Sequence, residues 1–326
     1  MLLQERRSHM NDFPLLSSSA SAVRLPFIRP FILFFLLAFT FGAMSATASA
    51  RDTIKKIRET KTVVLSFMGS VDNLSPFVVI EPDGEVSGYT IEICRKIVQG
   101  IRQELRLPDI KIQYLPVNAS SRFSALLDNR ADLECSVSTN NAERRKKFAF
   151  TIPHFFTSVR MLVKAGSPIK NWNDLRNKRV VTTRATAMID VINKRSNIRY
   201  LDLTVVELDG DRECFSMLEH GMADAFIMDE ILLYGARENA VDPEKFIIVG
   251  TPLSVEPYAI MLRNDDPEFK KMVDRQMARL ANSGEIYRLY NRWFMQPIGP
   301  DKRSLGMPMS YILRDSLRYP TDKITN

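Results

Sequence analysis

The sequence predicts an α/β protein of two lobes joined by two chain crossings. Three observations lead there. A strand-then-helix pattern opens twice, at Thr62 and again near Lys178; Phe123-Ser124 to Ala131-Asp132 recurs 92 positions later as Phe215-Ser216 to Ala223-Asp224; and two extended segments, Thr157 to Lys164 and Tyr258 to Arg263, flank the second unit. A recurring supersecondary unit points to duplication of one α/β lobe. Two crossings around the second unit make the first one discontinuous, which leaves a cleft with a hinge between the lobes.

The elements follow in order. Arg24 and Arg29 precede an uncharged run, Phe31 to Met44, and the segment closes Ala48-Ser49-Ala50. That layout is a secretory signal peptide over 1–50, cleaved after Ala50. The apolar run is shorter than the roughly 20 residues that a spanning helix requires. Met1 and Met10 are both candidate starts. Next, Thr62 to Phe67 (TVVLSF) reads as a strand, a loop passes Ser75-Pro76-Phe77, and Tyr89 to Ile101 has helical spacing. The repeated stretch is a helix that ends near Asn or Gly and leads into an apolar strand, with Asp132 and Asp224 in the turn before it. In the second unit Arg179 to Thr183 (RVVTT) is a strand and Ala187 to Asn193 the helix after it. Last, Asp266 caps a helix with Pro267 at its first position, and Ser283-Gly284 interrupts it. Residues 301–326 either pack on lobe one or trail from it.

The chain has 326 residues, a net charge of +7 and 25% charged residues, with cations spread along its length, so no dedicated nucleic-acid face is expected. Export permits disulfides. Cys94, Cys135 and Cys214 lack CxxC spacing and a nearby histidine, so burial as small hydrophobes is the reading and no bridge is assigned. HExxH, GxSxG and GxxxxGK[ST] motifs are absent from the sequence. No metal site, cofactor or catalytic residue is expected. Of the histidines beyond the leader, His154 follows a proline in an apolar stretch and reads as a packed residue.

At 88–93 (GYTIEI), 131–144 (ADLECSVSTNNAER), 226–230 (FIMDE) and 283–285 (SGE), the chain resembles the polar amino-acid-binding proteins of bacterial ABC importers, solute-binding protein family 3, and most closely their glutamate/aspartate-binding branch. The similarity runs from Asp52 to about Pro300. It implies a type II periplasmic binding protein fold, with lobe one formed by 51–160 plus 258–326 and lobe two by 161–257. It also implies a monomeric periplasmic protein that captures an amino acid and hands it to an inner-membrane permease, and that is not an enzyme.

The resemblance carries over to six residues. Arg144 matches the arginine that grips the α-carboxylate, and a planar guanidinium suits that task. Thr139 matches a supporting hydroxyl. Asp229 matches the carboxylate that receives the α-ammonium, and by its position it also reads as the N-cap of the next helix. Arg122 matches an arginine aimed at the ligand side chain. Thr186 falls where the family often has Gly-Thr-Thr, although this chain reads Ala185-Thr186-Ala187. Two departures bear on the ligand. Phe67 to Ser75 lacks the arginine of the dicarboxylate branch, and Asp211 stands near the place of a histidine. Either the Asp211 loop turns away or the ligand is not an acidic amino acid; Arg184 is the candidate for the missing positive charge. The alternatives are a neutral polar amino acid, a small carboxylate, or a dehydratase-like enzyme whose general acid would be Asp211, Glu213 or His154.

Overall fold

In the computed structural model, residues 52–69, 74–81, 83–298 and 304–322 are described; the predicted leader, 1–50, lies outside the described residues. The strand predicted at Thr62 runs Thr62–Met68. Its central residues are buried, as fits a strand covered by helices on both faces. Helix Tyr89–Leu105 covers one face, burying Ile93, Ile97 and Ile101.

Two five-stranded sheets form the architecture, and their layouts correspond. In lobe one the order is Lys111–Val117, Thr62–Met68, Leu133–Glu134, Met261–Arg263, Phe148–Phe150. In lobe two it is Thr204–Leu208, Arg179–Thr183, Ala225–Asp229, Val159–Lys164, Phe246–Val249. The first three strands of each sheet are parallel, and the fourth runs antiparallel to both neighbours. The α/β class and the two-lobed arrangement are therefore as the sequence predicts.

The duplication extends to individual hydrogen bonds. In lobe one Asn129 N–H donates to the Leu126 carbonyl and Ala131 N–H to that of Ala125; in lobe two Gly221 donates to Leu218 and Ala223 to Met217. Asn129 and Gly221 both adopt the left-handed backbone, φ 60° and 73°. Asp132 then donates its N–H to the Val64 carbonyl and accepts the Val64 N–H on its carboxylate at 2.8 Å. Asp224 does the same with Arg179, at 2.9 Å. Each aspartate thus pins its turn to the neighbouring strand with a reciprocal pair, which explains why the residue recurs.

The predicted crossings divide more finely than the sequence suggests. Thr157 belongs to a short hinge strand, Phe155–Thr157, while Val159–Lys164 enters the lobe-two sheet. Tyr258 belongs to its antiparallel partner, Glu256–Tyr258, while Met261–Arg263 enters the lobe-one sheet. In each sheet the fourth strand thus comes directly after a hinge strand. Aromatic rings brace this hinge: Phe155 lies 4.9 Å from Phe77 and 5.2 Å from Phe294, and Phe77 lies 5.6 Å from Tyr258 between ring centres. Such pairs rigidify a small ladder that hydrogen bonds alone would leave weak.

Asp266 caps helix Pro267–Asn282 by accepting the Phe269 N–H at 3.0 Å, and Gly284 at φ 72° ends the interruption before helix Glu285–Tyr290, both as predicted. The tail packs rather than trails: helix Tyr311–Arg318 buries Leu313 and Leu317, and the Lys270 ammonium meets the Asp322 carboxylate at 3.0 Å.

The cysteines require a correction. Cys94 and Cys135 form a disulfide, with Cα atoms 6.3 Å apart, instead of packing as free thiols. Packing of helix Tyr89–Leu105 on the lobe-one sheet brings the two together, a proximity that spacing along the chain does not reveal. Cys214 is the buried free thiol, and burial pushes its pKa up to about 12.

Candidate ligand-binding site

A cleft with about 600 Å³ of free space, counting the part open to solvent, lies between the lobes. Five of the six candidate residues line it: Arg122, Thr139, Arg144, Thr186 and Asp229.

Lobe one presents cations. Arg122 sits in helix Ser121–Leu127, whose start is fixed by the Asn118 side chain accepting the Ser121 N–H at 2.7 Å. Its Nη1 donates to Ser138 Oγ at 3.0 Å and its Nη2 reaches the Ala185 carbonyl of lobe two at 3.5 Å. Arg144 lies in the turn Ala142–Arg145, capped by Asn141, and donates from Nη1 to the Thr139 carbonyl at 3.0 Å. The Phe123 ring serves both guanidinia, at 4.8 Å from Arg122 and 5.3 Å from Arg144. Burial, reinforced by Arg122, pulls the Arg144 pKa down to about 9; burial also lowers that of Arg122, against the pull of Glu134. Two guanidinia held this close out of water form a site that an anion relieves.

Lobe two and the hinge present carboxylates. Asp229 ends strand Ala225–Asp229, is 4% exposed, and accepts the Tyr258 hydroxyl on Oδ2 at 2.7 Å. Its Oδ1 has no hydrogen-bond partner among the described residues. Asp229 occupies the N-cap position of helix Glu230–Glu238, as the sequence suggests, yet its side chain makes no capping bond. Tyr258 takes it instead. Burial holds the Asp229 carboxyl well above the ordinary range, with Glu256 adding to the rise and Tyr258 easing it. Glu256, which accepts the Ser254 hydroxyl at 2.5 Å and is a neighbour of the Thr139 side chain, is raised for the same first reason.

Thr186 lines the cleft, but its hydroxyl donates to the Thr183 carbonyl at 2.7 Å. Ala185 just before it has φ 59°, the conformation that the family glycine would adopt freely.

Arg184 stands apart and is not among the cleft-lining residues. Its guanidinium pairs with Asp209 and donates to the Glu207 carbonyl at 3.0 Å, half exposed. Thr183, one residue earlier, is the one that lines the cleft. Thr183 ends strand Arg179–Thr183, and successive side chains of an extended segment point to opposite sides, which directs Arg184 away from the cleft. Asp211 has not turned away: it lines the cleft and accepts the Thr183 hydroxyl. Glu213 lies outside the cleft lining, and His154 is fully buried against the Tyr89 ring, burial pulling its pKa down to about 3. Residues 70–73 of the first loop lie outside the described residues. Among the described residues no cluster of His, Cys, Asp or Glu could hold a metal ion.

Sequence reasoning missed Tyr258 and Glu256. Tyr258 has one signal in the sequence, its place in the extended segment Tyr258 to Arg263, which also describes core residues; Glu256 lies just before that segment. It also missed Glu134, a fully buried carboxylate that acts on both arginines and whose oxygens lack hydrogen-bond partners among the described residues.

Residues 67–296 match the family model for bacterial extracellular solute-binding proteins, family 3. The chain belongs to that family. An L-glutamate/L-aspartate-binding protein of Pseudomonas aeruginosa is 37% identical over 83% of this chain and 89% of its own length. A glutamate/aspartate import solute-binding protein of Escherichia coli is 33% identical over 87% of this chain and 93% of its own. Among solved structures, the arginine-, lysine-, histidine-binding protein ArtJ of Geobacillus stearothermophilus superposes with a TM-score of 0.62 at 21% identity, covering 72% of this chain and 95% of that one, a likeness of fold. The family accounts for the two-lobed architecture with its cleft and for solute binding there.

Proposed function

We propose that this chain is the periplasmic ligand-binding component of an amino-acid ABC importer, exported by a signal peptide over 1–50, which captures a polar amino acid between its lobes and presents it to an inner-membrane permease. Glutamate and aspartate are the favoured ligands, because the relatives named above bind them. The observation that carries the reading is the charge arrangement of the cleft: Asp229 Oδ1, buried and unpartnered among the described residues, on one side, and the Arg144 guanidinium on the other. An α-amino acid brings an ammonium and a carboxylate, and each buried charge needs a partner.

In this reading Arg144 takes the α-carboxylate with support from Thr139, Asp229 takes the α-ammonium, Thr186 contributes packing at the lobe-two turn, and Arg122 faces the side chain. Both ligand charges are satisfied only when the lobes are together, so ligand favours the closed state through contacts that the open state lacks. The chain works as a monomer and performs no catalysis.

The test is a melting screen of ligand-stripped protein against the twenty L-amino acids, D-glutamate and small dicarboxylates. A ligand at a hundredfold excess over its Kd stabilises the native state by about 2.7 kcal/mol. A large shift with a polar amino acid, lost in Arg144→Ala, supports the reading; absence of any shift contradicts it.

A further inference from the structure

Thr139 and Arg144 line the cleft, and the residues between them hold the turn that carries both. Asn141 caps that turn by accepting the Arg144 N–H at 2.9 Å, and the Arg144 guanidinium bonds back to the Thr139 carbonyl. Asn140 is different: it is 1% exposed and does not line the cleft. Its N–H donates to the Pro257 carbonyl of the hinge strand at 2.8 Å, its Oδ1 accepts from Arg145 Nη1 at 3.1 Å, and its Nδ2 donates to the Asp322 carbonyl at 3.4 Å. The partners fix the orientation of the side-chain amide. A guanidinium only donates and a carbonyl only accepts, so the oxygen faces Arg145 and the nitrogen faces Asp322.

Asp322 lies 182 positions along the chain from Asn140, in the segment 304–322, outside the stretch that the family model matches. That segment runs along lobe one. The Met307 N–H donates to the Phe294 carbonyl at 3.2 Å, and the Tyr287 hydroxyl donates to the Arg314 carbonyl at 3.4 Å. Helix Tyr311–Arg318, capped by Ser310, seats Leu313 and Leu317 against lobe one. The Lys270 ammonium then fastens the Asp322 carboxylate. Phe294 in turn stacks on Phe155 of the hinge. The segment thus links a ring that braces the hinge to the turn that carries Thr139 and Arg144.

We propose that Asn140 is a positioning residue for the grip on the ligand α-carboxylate, and that residues 304–322 act as a strap that holds it in place through Asp322. The proposal rests on the amino-acid-binding reading above and deepens it. A guanidinium grips a carboxylate through two parallel hydrogen bonds, which makes the grip sensitive to a small tilt of the turn. Thr139 bridges to Tyr258 of the hinge and Arg144 bonds to Thr139, so the turn moves as a unit. An amide buried this deeply has no water to replace a lost partner, so release of Asp322 leaves the Nδ2 donor unpaired and loosens the turn.

Calorimetry on the full chain with L-glutamate, L-glutamine and the α-amide of each tests this, because the α-amides lack the charged group that the turn grips. In the parent the α-amides should bind more weakly than the acids. Asn140→Ala should weaken the acids about five- to tenfold and shrink the amide-to-acid ratio of Kd by the same factor. A residue that only supports the fold would weaken acids and amides alike and leave the ratio unchanged. Asp322→Ala, outside the cleft, should weaken the acids about two- to fivefold in the parent and add nothing in Asn140→Ala, because the strap acts through that amide. Should Asn140→Ala fail to fold, Asp322→Ala decides through the same ratio, which it should lower. An unchanged ratio, no effect of Asp322→Ala in the parent, or an equal cost of Asp322→Ala in both backgrounds would overturn the proposal while leaving the amino-acid reading intact. Failure of both amino acids to bind the parent would overturn the two together.

Discussion

Lobe one and lobe two carry the same five-strand order and the same aspartate-pinned turn, yet their cleft faces carry opposite charge: Arg122 and Arg144 on one side, Asp209, Asp211 and Asp229 on the other. The shared features lie in the sheets and turns, where backbone hydrogen bonds dictate residue type. The differences lie at strand ends and helix starts facing the gap, where no backbone requirement holds and side chains can follow a ligand. A zwitterion is the molecule that such a pair of faces fits.

The largest expected effect comes from removing the cation. Arg144→Ala should weaken every amino-acid ligand by about 2–5 kcal/mol, roughly 30-fold to a few thousandfold, as measured by calorimetry. Arg122→Ala should instead weaken ligands with polar side chains more than alanine or glycine, which would separate the two guanidinia by role.

Asp229→Asn keeps the shape and removes the anion, so a loss of about 1.5–3 kcal/mol of binding is expected. The same change should not destabilise ligand-free protein at pH 8 and should abolish a pH effect. The raised carboxyl of Asp229 means that its favourable contribution to the free protein is fully present below the ordinary carboxylate pKa and is lost as pH rises through the raised value. An ammonium partner favours the ionised form. Melting shifts caused by ligand should therefore grow from pH 5 to pH 8 in the parent and stay flat in Asp229→Asn.

Tyr258→Phe removes a hydroxyl that eases the Asp229 carboxylate. A loss of about 1 kcal/mol in binding is expected, with the pH rise displaced upward. The smallest effect concerns Ala185, whose left-handed backbone costs a non-glycine residue about 1–2 kcal/mol. Ala185→Gly should raise ligand-free stability by about 0.5–1 kcal/mol after the entropy cost of glycine. An unchanged melting temperature would count against strain at that turn.

Much of the fold was legible because it rests on local signals: β-branched strands at Thr62 and Arg179, the Asp266-Pro267 helix start, and the repeat whose aspartates pin each turn. The hinge was read one step too coarsely, since a continuous extended pattern does not mark where a strand leaves one ladder for another. In the site, Arg144 and Asp229 were visible only through resemblance, because a charge run and a helix cap explain the same letters. Arg184, the candidate for the missing positive charge, pairs with Asp209 instead, because a turn's side-chain directions are not written in residue order. Tyr258 and the Cys94–Cys135 bridge depend on contacts across long stretches of chain, which residue order does not display.

The claim that each lobe supplies one charge is tested most directly by pairing a protein change with a ligand change. Calorimetry should compare glutamate with glutarate, which lacks the α-ammonium, on the parent and on Asp229→Asn. If the ammonium meets Asp229, the parent should lose about tenfold to a hundredfold on going to glutarate, and Asp229→Asn should lose little. An equal penalty in both proteins would contradict the account, because the ammonium would then be recognised elsewhere.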